Sequence, residues 1–162
     1  MKKVKLHLLV IVAMLSFVTS CLVDSDKAKA YDPEKRLSLD IEIIDAYLEE
    51  KDSTAEIHES GLRYAIHELG TGSIPASESY VSIAYDVRLL NNDSEVFDSR
   101  DSVRFNLMQA NQGLQIGIPL IREGGSITLY VPSVYGFQNV FFGSIPPNSN
   151  LIYYVELLDV ED

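Results

Sequence analysis

The sequence predicts an α+β fold in which a mainly antiparallel sheet carries one inserted short helix. Apolar residues alternate with polar ones in four segments, which is typical of half-buried strands: 62–66, 81–89, 127–131 and 151–157. Residues 113–121 have apolar side chains at mixed spacing and provide only one or two helical turns. A helical period occurs at Ile41, Ile44 and Leu48, which predicts a second helix before the sheet.

Residues 1–20 combine a basic start with an apolar run, as export signals do. Three lysines precede the apolar run at 8–18, which is too short to span a membrane. The sequence VTSC at 18–21 resembles the bacterial lipobox, in which a lipidated cysteine becomes the mature N-terminus. Cys21 is the only cysteine of the chain. We therefore expect a lipoprotein signal peptide at 1–20 and a lipid anchor at Cys21; a secretory leader followed by an incidental thiol is the alternative.

The charge of the chain excludes two kinds of partner. The formal charge is −11, and loss of the three lysines with the leader lowers it to −14. Such an acidic protein is repelled by nucleic acid and by anionic lipid headgroups. Membrane attachment must then come from the acyl chains at Cys21, at about 0.8 kcal/mol per buried CH₂. We expect a lipid-anchored protein of the bacterial cell envelope, at the outer membrane; the oligomeric state is not predicted.

The segment between the anchor and the sheet is divided in two by its composition. Residues 21–37 are polar and are interpreted as a tether. Ser38 is a suitable N-cap for the apolar helix that follows and ends near Lys51, so 38–59 is predicted to be a helix and linker. This helix either packs only on its own domain or serves dimerisation or docking. The sheet domain is predicted to span 60–162.

The residue patterns of nucleophilic and metal catalysis are absent from this sequence. His58 and His67 lack cysteine or clustered carboxylate neighbours at metal-ligand spacing, so no metal is expected. No phosphate-binding glycine motif and no nucleophile-elbow motif occurs, and no cofactor is expected. Acidic pairs such as Glu49-Glu50 are typical of solvated faces. Any activity must therefore come from an apolar pocket with few polar groups.

Three motifs in the second half of the chain occur in a specific order. They are VFDS at 96–99, VYGF at 134–137 and IPPNSNLIYYVELL at 145–158. In this order and spacing, and over about residues 60–162, the chain resembles FKBP-type peptidyl-prolyl isomerases. Its tether and helix also look like those of membrane-anchored FKBP-type lipoproteins of Bacteroidetes-like bacteria.

This resemblance implies a half-barrel in which a curved antiparallel sheet wraps around a short helix, with a proline pocket between them. It implies peptidyl-prolyl cis-trans isomerase activity on X-Pro bonds of envelope proteins, with proline-containing polypeptides as clients. Tyr135 would donate its hydroxyl to a substrate carbonyl, and Asp98 would be the buried polar group near Tyr85. The implied substrate-binding residues are Tyr85, Phe97, Val103, Ala110, Asn111, Leu114, Val134, Ile145 and Tyr153.

The chain departs from the family pattern at the pocket. Leu114 stands where the family usually has tryptophan, Ala110-Asn111 replaces a Val-Ile pair, and Val103 replaces a bulky aromatic residue. A wider and more polar pocket follows, and with it reduced or altered activity. The unusual loop 137–144 is one segment that could fold over the pocket. The alternatives are a non-catalytic module that binds proline-containing segments, and an anchored chaperone or assembly lipoprotein.

Overall fold

The computed structural model describes residues 30–161, so the predicted signal peptide and Cys21 lie outside the described residues. Two α-helices are present in this range, α1 at Pro33–Glu50 and α2 at Gln112–Gly117. The strands are β1 (Glu56–Ile57), β2 (Arg63–Glu68), β3 (Tyr80–Leu89), β4 (Asn92–Asn106), β5 (Ser126–Val131) and β6 (Leu151–Glu161). They form one sheet in the order β1-β2-β5-β6-β3-β4, and every neighbouring pair is antiparallel. The predicted α+β class is confirmed.

The two faces of the sheet carry different apolar clusters. Successive side chains of a strand point to opposite faces, so Leu129 and Tyr153 face one side while Tyr130 and Ile152 face the other. The first face forms the main core with Leu114 of α2. The second face forms a smaller cluster with α1. The sheet therefore lies between the two helices, and α2 is on the side of the main core.

Helix α2 packs very closely on β5 at two glycines. A Cβ atom at Gly113 would lie 2.4 Å from Val131, and one at Gly117 would lie 2.3 Å from Leu129. These glycines are four residues apart and so lie on the same face of the helix. Because no other residue lacks a Cβ atom, glycine at both positions is what allows this approach.

Helix α1 begins at Pro33 rather than at residue 38, so the predicted tether 21–37 is wrong for its last five residues. Asp32 is the N-cap, and its carboxylate accepts a hydrogen bond from the Lys35 N–H at 3.1 Å. Proline is well suited to the next position, because its missing N–H would have no helical partner there. Ser38, the predicted N-cap, lies inside the helix and donates its hydroxyl to the Glu34 carbonyl. The predicted end near Lys51 is confirmed.

A buried polar cluster joins α1 to the segment that precedes β6. The Asp40 carboxylate accepts hydrogen bonds from the Ser133 N–H at 2.9 Å and the Ser133 hydroxyl at 2.6 Å. Asp40 also forms an ion pair with Arg36, which donates to the Asn148 carbonyl at 3.0 Å. Ile44, which is fully buried, supplies apolar contact on the same helix. Helix α1 therefore holds both ends of the loop 133–148.

Strand β4 was predicted only in part. The sequence indicated a turn after β3 and a short continuation at Val96-Phe97, but the strand runs from Asn92 to Asn106. It lies at the edge of the sheet, and most of its side chains are exposed. Its pairing with β3 also shifts register three times. An exposed and irregular edge strand does not produce the regular alternation that reveals β3, β5 and β6.

Candidate functional site

A cavity of about 290 Å³ lies between α2 and the strands β3, β4 and β6. It is bounded on one side by the loop that leads into β6. The residues that line it are Ile83, Tyr85, Val87, Asp98, Val103, Phe105, Gln109, Ala110, Leu114, Phe137, Phe142, Ile145 and Tyr153. Five of these residues have aromatic rings, so the wall is mainly apolar with a few polar atoms.

Seven of the residues that we predicted for the pocket line this cavity. Strand periodicity explains one wall, since Ile83, Tyr85 and Val87 alternate along β3 and face the same side. The seven are Tyr85, Asp98, Val103, Ala110, Leu114, Ile145 and Tyr153. Their location agrees with the predicted site, and their roles in binding or catalysis stay predictions.

The rim of the cavity is a tight hairpin-like bridge. Phe142 and Ile145 exchange backbone hydrogen bonds of 3.1 and 2.9 Å, and both side chains line the cavity. Phe142 also stacks on Phe137, with ring centroids 4.1 Å apart and planes within 5°. Pro146 and Pro147 follow directly, and their fixed φ angles suit an extended rim. Through Phe142, the loop 137–144 thus forms part of the cavity wall, whereas the neighbouring Phe141 is 75% exposed.

Phe137, Phe142 and four further lining residues were not among the predicted site residues. The pair Phe141-Phe142 in the unusual loop 137–144 was a signal that the sequence offered. Ile83 and Val87 could have been inferred from the position of Tyr85 by strand alternation. Phe105 lies on the part of β4 that the sequence did not reveal, and Gln109 lies in the 3₁₀ turn Leu107–Gln109 that follows it. No sequence pattern pointed to either residue.

Tyr85 and Asp98 form a hydrogen-bonded pair across β3 and β4. The Tyr85 hydroxyl donates to the Asp98 carboxylate at 2.6 Å. Burial, together with this carboxylate, raises the pKa of Tyr85 to about 12. Arg100 donates to the other carboxylate oxygen at 2.7 Å. The predicted proximity of Asp98 to Tyr85 is confirmed, but the prediction that Asp98 is buried is wrong, because its side chain is 42% exposed at this edge strand.

Asn111 reaches the cavity wall through Tyr153. It is the N-cap of α2, and its Oδ1 atom accepts the Leu114 N–H at 3.1 Å. Its Nδ2 atom donates to the Tyr153 hydroxyl oxygen at 3.0 Å. The Tyr153 ring is buried and lies 6.3 Å from the Tyr85 ring. Burial raises the pKa of Tyr153 to about 12. Asn111 therefore does not line the cavity itself but orients a residue that does.

Tyr135, Phe97 and Val134 are not among the residues that line the cavity. The Tyr135 hydroxyl donates to the Ser60 carbonyl at 2.9 Å, and burial raises its pKa. Tyr135 belongs to a short 3₁₀ turn, Ser133–Tyr135, that Asp40 holds at its first residue. The predicted donation from Tyr135 to a substrate carbonyl is therefore not supported by this arrangement. Phe97 packs against the main core, and Val134 is buried within the turn.

The fold and the cavity together define a class of protein. A six-stranded antiparallel sheet holds an aromatic, mainly apolar site against a short helix, and this site is large enough for a small ring and its neighbouring atoms. Such a site suits an apolar ligand with few charged groups.

Comparison with known proteins identifies the family. The family model for FKBP-type peptidyl-prolyl cis-trans isomerase matches residues 72–158, which is more than half of the chain. The chain therefore belongs to this family.

Individual relatives agree with this assignment. A Haemophilus influenzae protein named "Probable FKBP-type peptidyl-prolyl cis-trans isomerase" is 34% identical over 151 residues, covering 90% of this chain and 61% of that protein. FKBP-type peptidyl-prolyl cis-trans isomerase FkpA of Escherichia coli is 31% identical over 115 residues, covering 68% of this chain and 42% of that protein. The crystal structure of FkpA from Escherichia coli matches with a TM-score of 0.68 and 26% identity, covering 98% of this chain and 71% of that one. The chain thus spans only part of the length of these relatives.

Proposed function

We propose that this chain catalyses the cis-trans isomerisation of X-Pro peptide bonds. The observation that carries the proposal is the aromatic cavity between α2 and the sheet in a member of this family. Rotation about an X-Pro bond faces a resonance barrier of about 18 to 20 kcal/mol and takes tens to hundreds of seconds without a catalyst. It requires no nucleophile or metal.

The physical basis of catalysis is a change of environment for the amide. A planar amide is charge-separated by resonance, whereas the twisted amide of the transition state is less polar. An apolar aromatic wall disfavours the planar form, and complementary shape favours the twisted one. Tyr85 and Tyr153 supply part of that wall, and Ile145 forms its rim. The Tyr85–Asp98 hydrogen bond keeps one ring in place.

We also propose where the protein acts. The lipobox-like VTSC sequence supports a lipoprotein that is anchored through Cys21 in a bacterial cell envelope, at the outer membrane. The resemblance of the tether and helix to those of membrane-anchored FKBP-type lipoproteins supports an origin in a Bacteroidetes-like bacterium. Residues 30–161 contain no helix that is long and apolar enough to cross a membrane. The clients would be envelope polypeptides that contain proline, whose folding the protein would assist.

A second candidate is a module that binds proline-containing segments without catalysis, acting as a chaperone or assembly factor. Leu114 supports it, because the chain has no tryptophan for the cavity floor. The exposed Phe141 beside the cavity also supports it, since a solvent-exposed aromatic ring is suited to bind apolar polypeptide.

The two candidates are separated by a prolyl-isomerisation assay on X-Pro tetrapeptides. The proposed function predicts a rate that rises in proportion to protein concentration. If micromolar protein binds the same peptides but does not accelerate their isomerisation, the isomerase is excluded and the non-catalytic binding module is supported.

A further inference from the structure

The hydroxyl group of Tyr153 has a proton that no described residue accepts. Within residues 30–161, the hydrogen bond of this hydroxyl is the one that it receives from Asn111. The other two tyrosines of the predicted site differ in this respect. The Tyr85 hydroxyl donates a hydrogen bond to the Asp98 carboxylate, and the Tyr135 hydroxyl donates one to the Ser60 carbonyl. Of these three tyrosines, Tyr153 is thus the one whose hydroxyl can donate a hydrogen bond to another molecule.

The cap of α2 fixes the direction of the Asn111–Tyr153 hydrogen bond. A backbone N–H can only donate, so the Asn111 atom that faces the Leu114 N–H at 3.1 Å must be the oxygen Oδ1. The atom that faces Tyr153 at 3.0 Å is then the amide nitrogen, which also can only donate. The Tyr153 oxygen therefore accepts, and its own proton must point elsewhere.

The free proton belongs to a residue that lines the cavity. Burial holds the pKa of Tyr153 near 12, so the hydroxyl is protonated at physiological pH and is a donor. A buried donor without a partner is unfavourable, so it gains from any acceptor that enters the cavity. An X-Pro segment brings carbonyl oxygens, and its proline has no N–H to offer in competition.

We propose that Tyr153 is a catalytic residue that donates a hydrogen bond to a carbonyl oxygen of the bound X-Pro segment, and that Asn111 is its positioning residue. This inference rests on the proposed isomerase function. It transfers to Tyr153 the role that the family resemblance had suggested for Tyr135. This role also explains why Asn111 replaces an apolar residue at the pocket, because its amide donates to Tyr153 and leaves the hydroxyl proton of Tyr153 free.

The best acceptor is a carbonyl that flanks the rotating bond. A hydrogen bond to the carbonyl of the rotating amide itself would strengthen its resonance and favour the planar form. A bond to a neighbouring carbonyl instead orients the segment while the X-Pro amide twists against the apolar wall. Tyr153 is suited to this because it is only 4% exposed and packs in the main core while it also lines the cavity.

The test compares Tyr153→Phe with the isosteric change Asn111→Asp. An aspartate still caps α2, but its carboxylate can only accept a hydrogen bond from the Tyr153 hydroxyl. That hydroxyl is then no longer free to donate to a ligand. We expect each change to lower kcat/KM for an X-Pro tetrapeptide about five- to tenfold, the effect of one hydrogen bond. The control Tyr154→Phe alters the next residue, which is exposed on the opposite face, and is expected to change kcat/KM less than about twofold.

The double variant separates the proposed role from a simple charge effect. If Asn111 acts through Tyr153, adding Asn111→Asp to Tyr153→Phe causes little further loss, because the proton is already gone. If the aspartate charge alone matters, the loss is the same in both backgrounds, which would overturn the positioning role. Unchanged kcat/KM in Tyr153→Phe, or a loss that follows Tyr135→Phe instead, would overturn the catalytic role.

Failure of the proposed function is distinguishable from failure of this inference. If the wild-type protein does not accelerate isomerisation, the isomerase proposal fails, and a titration with the same peptide decides the role of the hydroxyl. With ¹³Cζ-labelled tyrosine, the Tyr153 resonance is expected to shift on peptide addition, and Tyr153→Phe to weaken binding about five- to tenfold. Absence of peptide binding, or binding with no shift and unchanged affinity, overturns the hydrogen bond.

Discussion

The Asp40 carboxylate on α1 accepts both the N–H and the hydroxyl of Ser133, a residue 93 positions further along the chain. Asp40 is fully buried, so these bonds and its ion pair with Arg36 compensate for the loss of water. Ser133 begins the segment that ends at the Ile-Pro-Pro rim of the cavity. The helix before the sheet domain is thereby tied to the loop that forms the site.

Replacement of Asp40 tests this connection. Asp40→Ala removes the ion-pair partner of Arg36 and the acceptor of the Ser133 hydroxyl, whereas the Ser133 N–H keeps its second acceptor, Asn150 Oδ1, at 3.0 Å. We therefore expect the free energy of unfolding to fall by roughly 3 kcal/mol. Glu42→Ala is the control, since Glu42 is exposed on the same helix and its loss is expected to change stability by less than about 0.5 kcal/mol. Urea unfolding measures both, and equal losses would contradict the account.

The raised pKa of Tyr153 predicts a loss of stability at alkaline pH. The pKa is about 12 in the folded protein, whereas an unfolded tyrosine ionises near pH 10. Below about pH 10 both states hold the proton, and between about pH 10 and 12 only the folded state holds it. The free energy of unfolding therefore falls as the pH rises through this window, by about 2 to 3 kcal/mol from this residue.

Urea unfolding at several pH values checks this prediction. Tyr153→Phe lacks the ionisable group, so its stability is expected to fall less steeply between about pH 10 and 12 than that of the wild type. Equal slopes for the two proteins would show that Tyr153 is not buried as described.

The cavity floor at Leu114 predicts a gain from a larger side chain. Leu114→Trp fills part of the 290 Å³ cavity, and we expect a higher kcat/KM or tighter binding of macrolide ligands if a wide pocket limits activity. Met108→Trp is the control, because Met108 is exposed and does not line the cavity. A folded Leu114→Trp protein with unchanged activity and affinity would exclude pocket width as the limit.

The lipid anchor depends on one residue. Cys21 is the only thiol of the chain, so Cys21→Ser is expected to abolish membrane association and labelling by fatty-acid analogues. Fractionation of cells that express each form measures both effects. A Cys21→Ser protein that stays in the membrane fraction would contradict the lipobox interpretation.

The sequence predicted the parts of the fold in which one face of a strand is buried. Strands β3, β5 and β6 alternate clearly because they lie inside the sheet. The family resemblance, and not this alternation, predicted Tyr85, Leu114 and Tyr153 as pocket residues, and all three line the cavity. Strand β4 escaped prediction because an exposed edge strand with register shifts lacks that pattern. The start of α1 at Asp32-Pro33 was missed because residues 21–37 were assigned to a tether on their polar composition, and an Asp-Pro pair occurs both in turns and at helix starts.

The polar contacts of the site could not be predicted from the sequence. The family resemblance implies that Tyr135 lies near a pocket, but only the folded chain brings its hydroxyl to Ser60. In the same way, Asn111 and Tyr153 lie 42 residues apart and become a pair only through the cap of α2. Such long-range hydrogen bonds depend on side-chain geometry that no local pattern encodes.

The most direct test of the central claim is the isomerisation rate of an X-Pro tetrapeptide with one charge added inside the cavity. Ala110→Glu places a carboxylate among the lining residues, whereas Ala46→Glu makes the same change at an exposed position of α1. We predict that the wild type and Ala46→Glu accelerate the reaction equally and that folded Ala110→Glu loses most of this activity. Acceleration by Ala110→Glu at the wild-type rate, or none by the wild type, would contradict the account.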